Sequence, residues 1–239
     1  MNPTLEMQVH KIAAGLWTVT YGRKEASLDV QEAAFAANGL GIISPAQLGF
    51  LRAKDSDIFS SYSRTNADVF YDDRDRSRVV IVPDSAISKL VDTANLVNAH
   101  RRKEYVIPPD QRDLVYAMVD EMIKSDIAFT APNEQTTVQP TSEFGKSDLT
   151  SRLFSDKILR IEAQEYGDWL QSQGRNVTAF FMDGENYSKD QRGPYLNRLR
   201  VYGRDHDFNV GGYGRSLGDD GGAFGVRFEK TAEGDRPKK

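Results

Sequence analysis

One segment of the chain matches a hydrolase motif. Residues 214–218 read Gly-Arg-Ser-Leu-Gly, which is the GxSxG spacing of a serine nucleophile at a strand-to-helix turn. That chemistry needs a strand before Ser216, a helix after it and a histidine later in the chain. Here a glycine-rich stretch precedes the serine, Asp-Asp-Gly-Gly follows at 219–222, and the last histidine is His206. The context therefore disfavours a serine hydrolase.

Neighbouring carboxylates offer a second kind of chemistry. Asp183 lies two residues before Glu185, and Asp219 adjoins Asp220. Such pairs serve as acid and base, or hold calcium through oxygen ligands, but they also arise by chance in a chain with 28% charged residues. The chain has no cysteine, and its three histidines are far apart, so no zinc motif is present. We expect no catalytic residue, no cofactor and no metal, with a calcium site as an open alternative.

With no convincing catalytic or metal motif, the candidate for function is the stretch 202–222, which has the sequence YGRDHDFNVGGYGRSLGDDGG. Aromatic, arginine and small polar residues are those that binding loops favour, because they combine large contact area with adaptable hydrogen bonding. Function also concentrates on loops held between rigid elements. The two interpretations are a glycine-rich surface loop and a ligand-binding surface.

The elements that must position this stretch are strands on both sides of it. Hydrophobic patterning predicts strands over 196–202 and 223–228, and a third over 177–181. Upstream, periodicity and capping residues predict strands at 15–21, 69–71, 79–82 and 105–107, and helices at 27–39, from 44, at 85–98, from 110 and at 158–173. The segment 130–148 lacks periodicity and is interpreted as a long loop or domain boundary. The predicted class is α+β.

Composition limits the number of domains and the classes of partner. At 239 residues the chain forms one large domain or two small ones. A net charge of −4 argues against a general nucleic-acid binder. There is no apolar run of 18 residues and no secretory signal pattern, so we expect no membrane insertion and a cytoplasmic location.

Three segments carry a family resemblance: 194–201 (PYLNRLRV), the mixed stretch after it, and 222–228 (GAFGVRF). Together they resemble the C-terminal variable region of diversity-generating retroelement target proteins. In that family a reverse transcriptase copies a template with errors at adenines, so that Asn codons become many residue types but never Gln, Glu, Lys, Met or Trp. None of these five occurs in 192–228, although 55–88 lacks them too. The strand–patchwork–strand arrangement is therefore what carries the resemblance.

The resemblance implies a C-type-lectin-like fold for the C-terminal part, following a mixed α/β N-terminal region. It divides the chain into 1–100, a ligand-binding domain at 101–232 with its variable region at about 195–228, and a flexible tail at 233–239. It also implies that Leu199, Val201, Phe224 and Val226 are buried strand residues and that Arg227 is structural. The ligand-binding residues carried over from the family are Tyr202, Arg204, Asp205, His206, Asp207, Phe208, Asn209, Tyr213, Arg215, Asp219 and Asp220.

The function that the resemblance implies is non-enzymatic binding of varied ligands, mainly proteins. An oxidase activity known on this fold type relies on cysteines, which the chain lacks. The alternative is a lectin-like carbohydrate- or calcium-binding module with a fixed site, although the usual Glu-Pro-Asn, Gln-Pro-Asp and Trp-Asn-Asp triplets are missing. A third hypothesis is a small hydrolase that uses Ser216 or the carboxylates Asp183, Glu185 and Asp219.

Overall fold

The computed structural model describes residues 5–59, 61–101, 107–134, 136–182, 193–204, 207–212, 217 and 221–231. These residues form a mixed α/β structure of eleven strands and eight α-helices. The strands are β1 (His10–Ala14), β2 (Trp17–Glu25), β3 (Gly41–Ile42), β4 (Ser63–Tyr71), β5 (Arg78–Val82), β6 (Phe129–Pro132), β7 (Thr137–Pro140), β8 (Val177–Phe181), β9 (Tyr195–Arg204), β10 (Asp207–Gly211) and β11 (Gly222–Lys230). The helices are α1 (Leu28–Ala37), α2 (Pro45–Lys54), α3 (Ser56–Phe59), α4 (Ala86–Leu90), α5 (Thr93–Arg101), α6 (Pro109–Lys124), α7 (Asp148–Phe154) and α8 (Ala163–Ser172).

All strands belong to one open sheet, whose main path runs β1-β2-β11-β4-β9-β10-β8-β7. Strand β11 is antiparallel to β2 and parallel to β4, while β4 is antiparallel to β9. In the run β2-β11-β4-β9, strands from before and after residue 100 therefore alternate as neighbours. The proposed division at residue 100 passes through this shared sheet.

Helices cover both faces of the sheet. Successive side chains of a strand point to opposite faces, so neighbouring residues of one strand pack against different sets of helices. On β4, Val69 and Tyr71 join a core that includes residues of α2, α7 and α8. Phe70, between them, joins a second core with residues of α1, α4, α5 and α6. The central strands are thus buried on both sides, which fixes their backbone firmly.

Local signals place helices α1 and α2 where the sequence predicts them. Helix α1 begins after Ser27 and ends at Ala37; Asn38 is its C-cap, and Gly39 follows in the left-handed region at φ +65°. Helix α2 begins after Ser44, with Pro45 as its first residue. The Ser44 hydroxyl accepts the Gln47 N–H at 3.1 Å, and the Gln47 side chain accepts the Ser44 N–H at 3.0 Å. This reciprocal pair is a capping box.

Replacing Ser44 by alanine is expected to lower the free energy of unfolding by about 1 kcal/mol, because the Gln47 N–H loses its acceptor. Urea denaturation measures the loss. The Ser44→Thr variant keeps the hydroxyl and serves as the control. An equal loss in both variants would show that the cap does not contribute.

Several predicted elements differ from the structure. The helix predicted at 85–98 is two helices, α4 and α5, because Asp92 adopts a left-handed φ of 64° between them. The predicted helix at 158–173 is shorter, with α8 beginning at Ala163. Ile107 lies outside any strand, and the remainder of the strand predicted at 105–107 lies outside the described residues.

The interpretation of 130–148 as a long loop or domain boundary is wrong. This segment contains most of β6, all of β7 and the start of α7. Strand β6 pairs with β5 and β7 pairs with β8. Strands of four residues are too short to show periodicity, and their partners lie far away in the sequence.

No described helix is long and apolar enough to cross a membrane.

Candidate functional site

The predicted variable region begins with a β-hairpin. Strand β10 is antiparallel to β9, with Asp207 opposite Arg204 and Gly211 opposite Arg200, and it is parallel to β8 on its other side. The sequence analysis interpreted 202–222 as one loop between two strands, but the structure has strand β10 within it. A strand forms there because β8 and β9 supply hydrogen-bond partners on both sides, which outweighs the weak strand propensity of Asp, Asn and Gly.

The predicted ligand-binding residues fall into two groups. Tyr202 and Arg204 lie on β9, and Asp207, Phe208 and Asn209 lie on β10; their backbone is described but their side chains are not. The second group lies outside the described residues: Asp205, His206, Tyr213, Arg215, Asp219 and Asp220. Described positions bracket these residues, namely Arg204 and Asp207, Gly212, Leu217 and Gly221.

Leu217 anchors the chain between Gly212 and Gly221. Its side chain is fully buried, in the core beneath α1 that also contains Leu28. Its carbonyl accepts the Leu28 N–H at 2.9 Å, one of the amides that a helix leaves unpaired at its start. The chain between Gly212 and Gly221 is therefore tied to the scaffold at its midpoint.

The carbonyl of Gly221 ends this stretch and is held by three donors. It accepts the Ala26 N–H at 3.3 Å, the Gln31 side-chain amide and Arg64 Nη1 at 3.4 Å. A Cβ at position 221 would lie 2.6 Å from Arg64 Nη2, so the close approach needs glycine. Gln31 and Arg64 are themselves fully buried and joined, with Arg64 Nη1 3.2 Å from Gln31 Oε1.

Arg52 holds strand β9 from the opposite core. It is fully buried on α2 and donates from Nη2 to the carbonyls of Ser61, at 3.0 Å, and Val201, at 3.3 Å. Its Nη1 donates to the Tyr166 hydroxyl at 3.2 Å, and its Nε to the Phe59 carbonyl at 2.7 Å. Burial raises the pKa of Tyr166 to about 12, so the phenol stays neutral and acts as an acceptor.

Arg198 fixes the first half of β9. Its guanidinium is fully buried and lies 3.1 Å from Asp68 and 2.7 Å from Glu32, and it also donates to the Ser85 hydroxyl. Asp68 in turn accepts the Ser88 hydroxyl at 2.6 Å and the N–H groups of Ile87 and Ser88, each at 3.0 Å. One ion-pair network thus joins β4, β9, α1 and the start of α4.

The predicted buried positions of the variable region are confirmed. Leu199, Val201, Phe224 and Val226 have exposed fractions of 0%, 0%, 1% and 6%. Arg227 is exposed; it lies 3.2 Å from Glu229 and donates to the Gly39 carbonyl. The scaffold also holds the carbonyls of Leu199, through the Thr65 hydroxyl at 2.9 Å, and of Phe224, through the Ile43 N–H at 2.9 Å.

The structure does not test the residues of the alternative hypotheses. Ser216, Asp183, Glu185 and Asp219 lie outside the described part of the chain. Within the described ranges there is no group of three His, Cys, Asp or Glu residues able to hold a metal ion.

Sequence reasoning missed the scaffold residues Gln31, Arg52, Arg64 and Leu217. One signal was available for Arg52, which stands four residues after Leu48 and next to Leu51, on the apolar face of α2. Leu217 is the one large aliphatic residue in 211–222. An apolar residue isolated in a polar stretch is a candidate for burial.

Comparison of the chain with protein-family models, with curated proteins and with solved structures found no match. The resemblance to retroelement target proteins therefore stays a prediction from the motifs at 194–201 and 222–228.

Proposed function

We propose that this chain is a non-enzymatic ligand-binding protein with a C-type-lectin-like C-terminal part, whose variable region at about 195–228 is diversified to bind varied ligands, mainly proteins. The observation that carries the proposal is how this region is held. Scaffold residues bind its carbonyls: Arg52 that of Val201, Leu28 that of Leu217, and Gln31 and Arg64 that of Gly221. Main-chain atoms are present whatever the side chain, so these contacts survive substitution.

The strand registers explain where such a surface would lie. Ser63 pairs with Val201, Ala223 with Arg64, and Gly222 with Glu25. The end of β9, the start of β11 and the end of β2 therefore lie side by side, at the end of the sheet where β4 begins. The connection from β9 to β10 leaves the sheet at this end and β11 begins there, as a shared binding surface requires.

Anchoring also limits the entropy that binding must offset. Two residues separate β9 from β10, and Leu217, whose carbonyl accepts the Leu28 N–H, lies between the end of β10 at Gly211 and the start of β11 at Gly222. Short connections between fixed ends have few conformations, and ordering a binding loop costs affinity in proportion to the freedom it loses. The anchors at Val201, Leu217 and Gly221 therefore lower the entropy that a bound ligand has to offset.

The DNA around the gene tests the proposal. We expect a template repeat and a reverse-transcriptase gene beside it, and, between independent isolates, codon differences confined to AAY-derived positions. These positions are the eleven named above, whereas the codons for Leu199, Val201, Leu217 and Phe224 stay constant. A locus without template or reverse transcriptase, with invariant codons at all eleven positions, contradicts the proposal.

The alternatives give different results in solution. Calcium-dependent binding to a glycan array supports a fixed lectin-like site. A turnover that is lost in Ser216→Ala or Asp219→Asn while binding is kept supports a hydrolase. Either result, without diversification at the locus, replaces the proposed function.

A further inference from the structure

A groove lies between the start of α2, strands β4 and β5, and the segment around α7. Its volume is about 920 Å³, within the range of sites that take a ligand or a few side chains. Its floor is apolar, formed by Ala67, Ile81, Phe129 and Leu153. All four belong to the core beneath α2, whereas Leu217 packs in the core on the other face of the sheet. The groove is therefore separate from the anchor of the variable region.

Two exposed isoleucines border the groove. Ile127 is 53% exposed and Ile158 is 87% exposed. The backbone at Ile158 is ordered, because Asp156 Oδ1 accepts the N–H groups of Ile158 at 2.9 Å and Leu159 at 3.0 Å. An ordered turn thus presents an aliphatic side chain to solvent beside an apolar floor. Covering such a side chain gains about 1.5–3 kcal/mol.

The charges around the groove are mostly negative. Four aspartates line it against two cations, Arg152 and Lys157, which leaves a net charge of −2; the aspartates are Asp84, Asp126, Asp148 and Asp156. Arg152 is already engaged, with its Nη1 2.7 Å from Asp126 and its guanidinium over the ring of Phe129. A ligand that matches this lining is cationic as well as apolar.

We propose that the groove binds a short segment of a partner protein that carries an aliphatic side chain next to lysine or arginine. The aliphatic side chain packs on the floor between the exposed isoleucines, and the cation lies among the carboxylates of the rim. This interaction surface is fixed, since it uses no position of the variable region, and it stands whether or not that region is diversified.

A phage-displayed library of random decapeptides tests the proposal on the full chain. We expect enriched peptides to combine Leu, Ile or Val with a neighbouring Lys or Arg. One enriched peptide, made synthetically and labelled, is then titrated against variants of the groove by fluorescence anisotropy at low salt.

The charge variant is Asp84→Asn with Asp126→Asn. Both residues have φ of 59°, and asparagine tolerates this left-handed backbone, so the change removes charge and keeps the backbone conformation. Asp126→Asn also removes the exposed ion pair with Arg152, which still donates to the Asp126 carbonyl at 3.0 Å. We expect about tenfold weaker peptide binding, because each of the two exposed charges makes a modest contribution to the affinity. The matched control is Asp92→Asn, which is also left-handed at φ 64° but lies between α4 and α5, and it should not weaken binding.

The apolar variant is Ile158→Ser, with Leu16→Ser as its control because Leu16 is also exposed, at 53%, in the turn between β1 and β2. We expect binding about fivefold to tenfold weaker in the first and unchanged in the second. Failure to enrich any peptide, enrichment without basic residues, or equal binding by wild type and groove variants would each overturn the proposal.

Discussion

Replacing Arg198 by methionine is expected to lower the free energy of unfolding by about 3–5 kcal/mol, the largest effect among the substitutions considered. Methionine fills much of the same space but leaves Asp68 without its cationic partner. Asp68 is fully buried, so its charge cannot be solvated in compensation. The three donors from Ile87 and Ser88 remain and keep the loss within this range. Urea denaturation of the purified variant measures it.

Two further variants make the result specific to the buried pair. Arg227→Met removes an exposed arginine that lies 3.2 Å from Glu229, and exposed pairs contribute about 1 kcal/mol at most. Adding Asp68→Asn to Arg198→Met neutralises the orphaned carboxylate and should recover part of the loss. If the Arg198 and Arg227 variants unfold at the same urea concentration, the network does not stabilise the sheet.

Replacing Leu217 by alanine is expected to lower the free energy of unfolding by about 3 kcal/mol, because removing a fully buried leucine side chain leaves a cavity that the neighbouring core only partly refills. The effect has a local signature as well. The Leu28 N–H donates to the Leu217 carbonyl, so its hydrogen-exchange protection should fall. The Leu48 N–H, which donates to Ser44 within α2, should change only with global stability.

The conservative variant Leu217→Met keeps the volume and should cost less than about 1.5 kcal/mol while preserving protection at Leu28. A Leu217→Ala variant that loses under 1 kcal/mol and keeps the Leu28 N–H protected would contradict the role of Leu217 as an anchor. The proposed binding surface would then lack a fixed point between Gly212 and Gly221.

The scaffold of the variable region was only partly predictable, and the reason is the range of the interactions. Burial of Leu199, Val201, Phe224 and Val226 follows from alternation within a strand, which is a pattern of neighbours. The bond from Arg64 to Gly221 joins residues 157 positions apart, and that from Arg52 to Val201 joins residues 149 apart. No local pattern announces that a buried arginine will meet a distant carbonyl.

The sequence by itself determined the elements whose signals are local. Ser27 and Asn38-Gly39 bound α1, Ser44-Pro45 starts α2, and alternating apolar residues define β8, β9 and β11. Only the tertiary structure decided that 207–211 is a strand, that β11 lies between β2 and β4, and that Leu217 ties the variable region to α1. Helix caps and apolar periodicity depend on residues that are close in the sequence, whereas sheet order and the burial of polar side chains depend on which distant segments pack together.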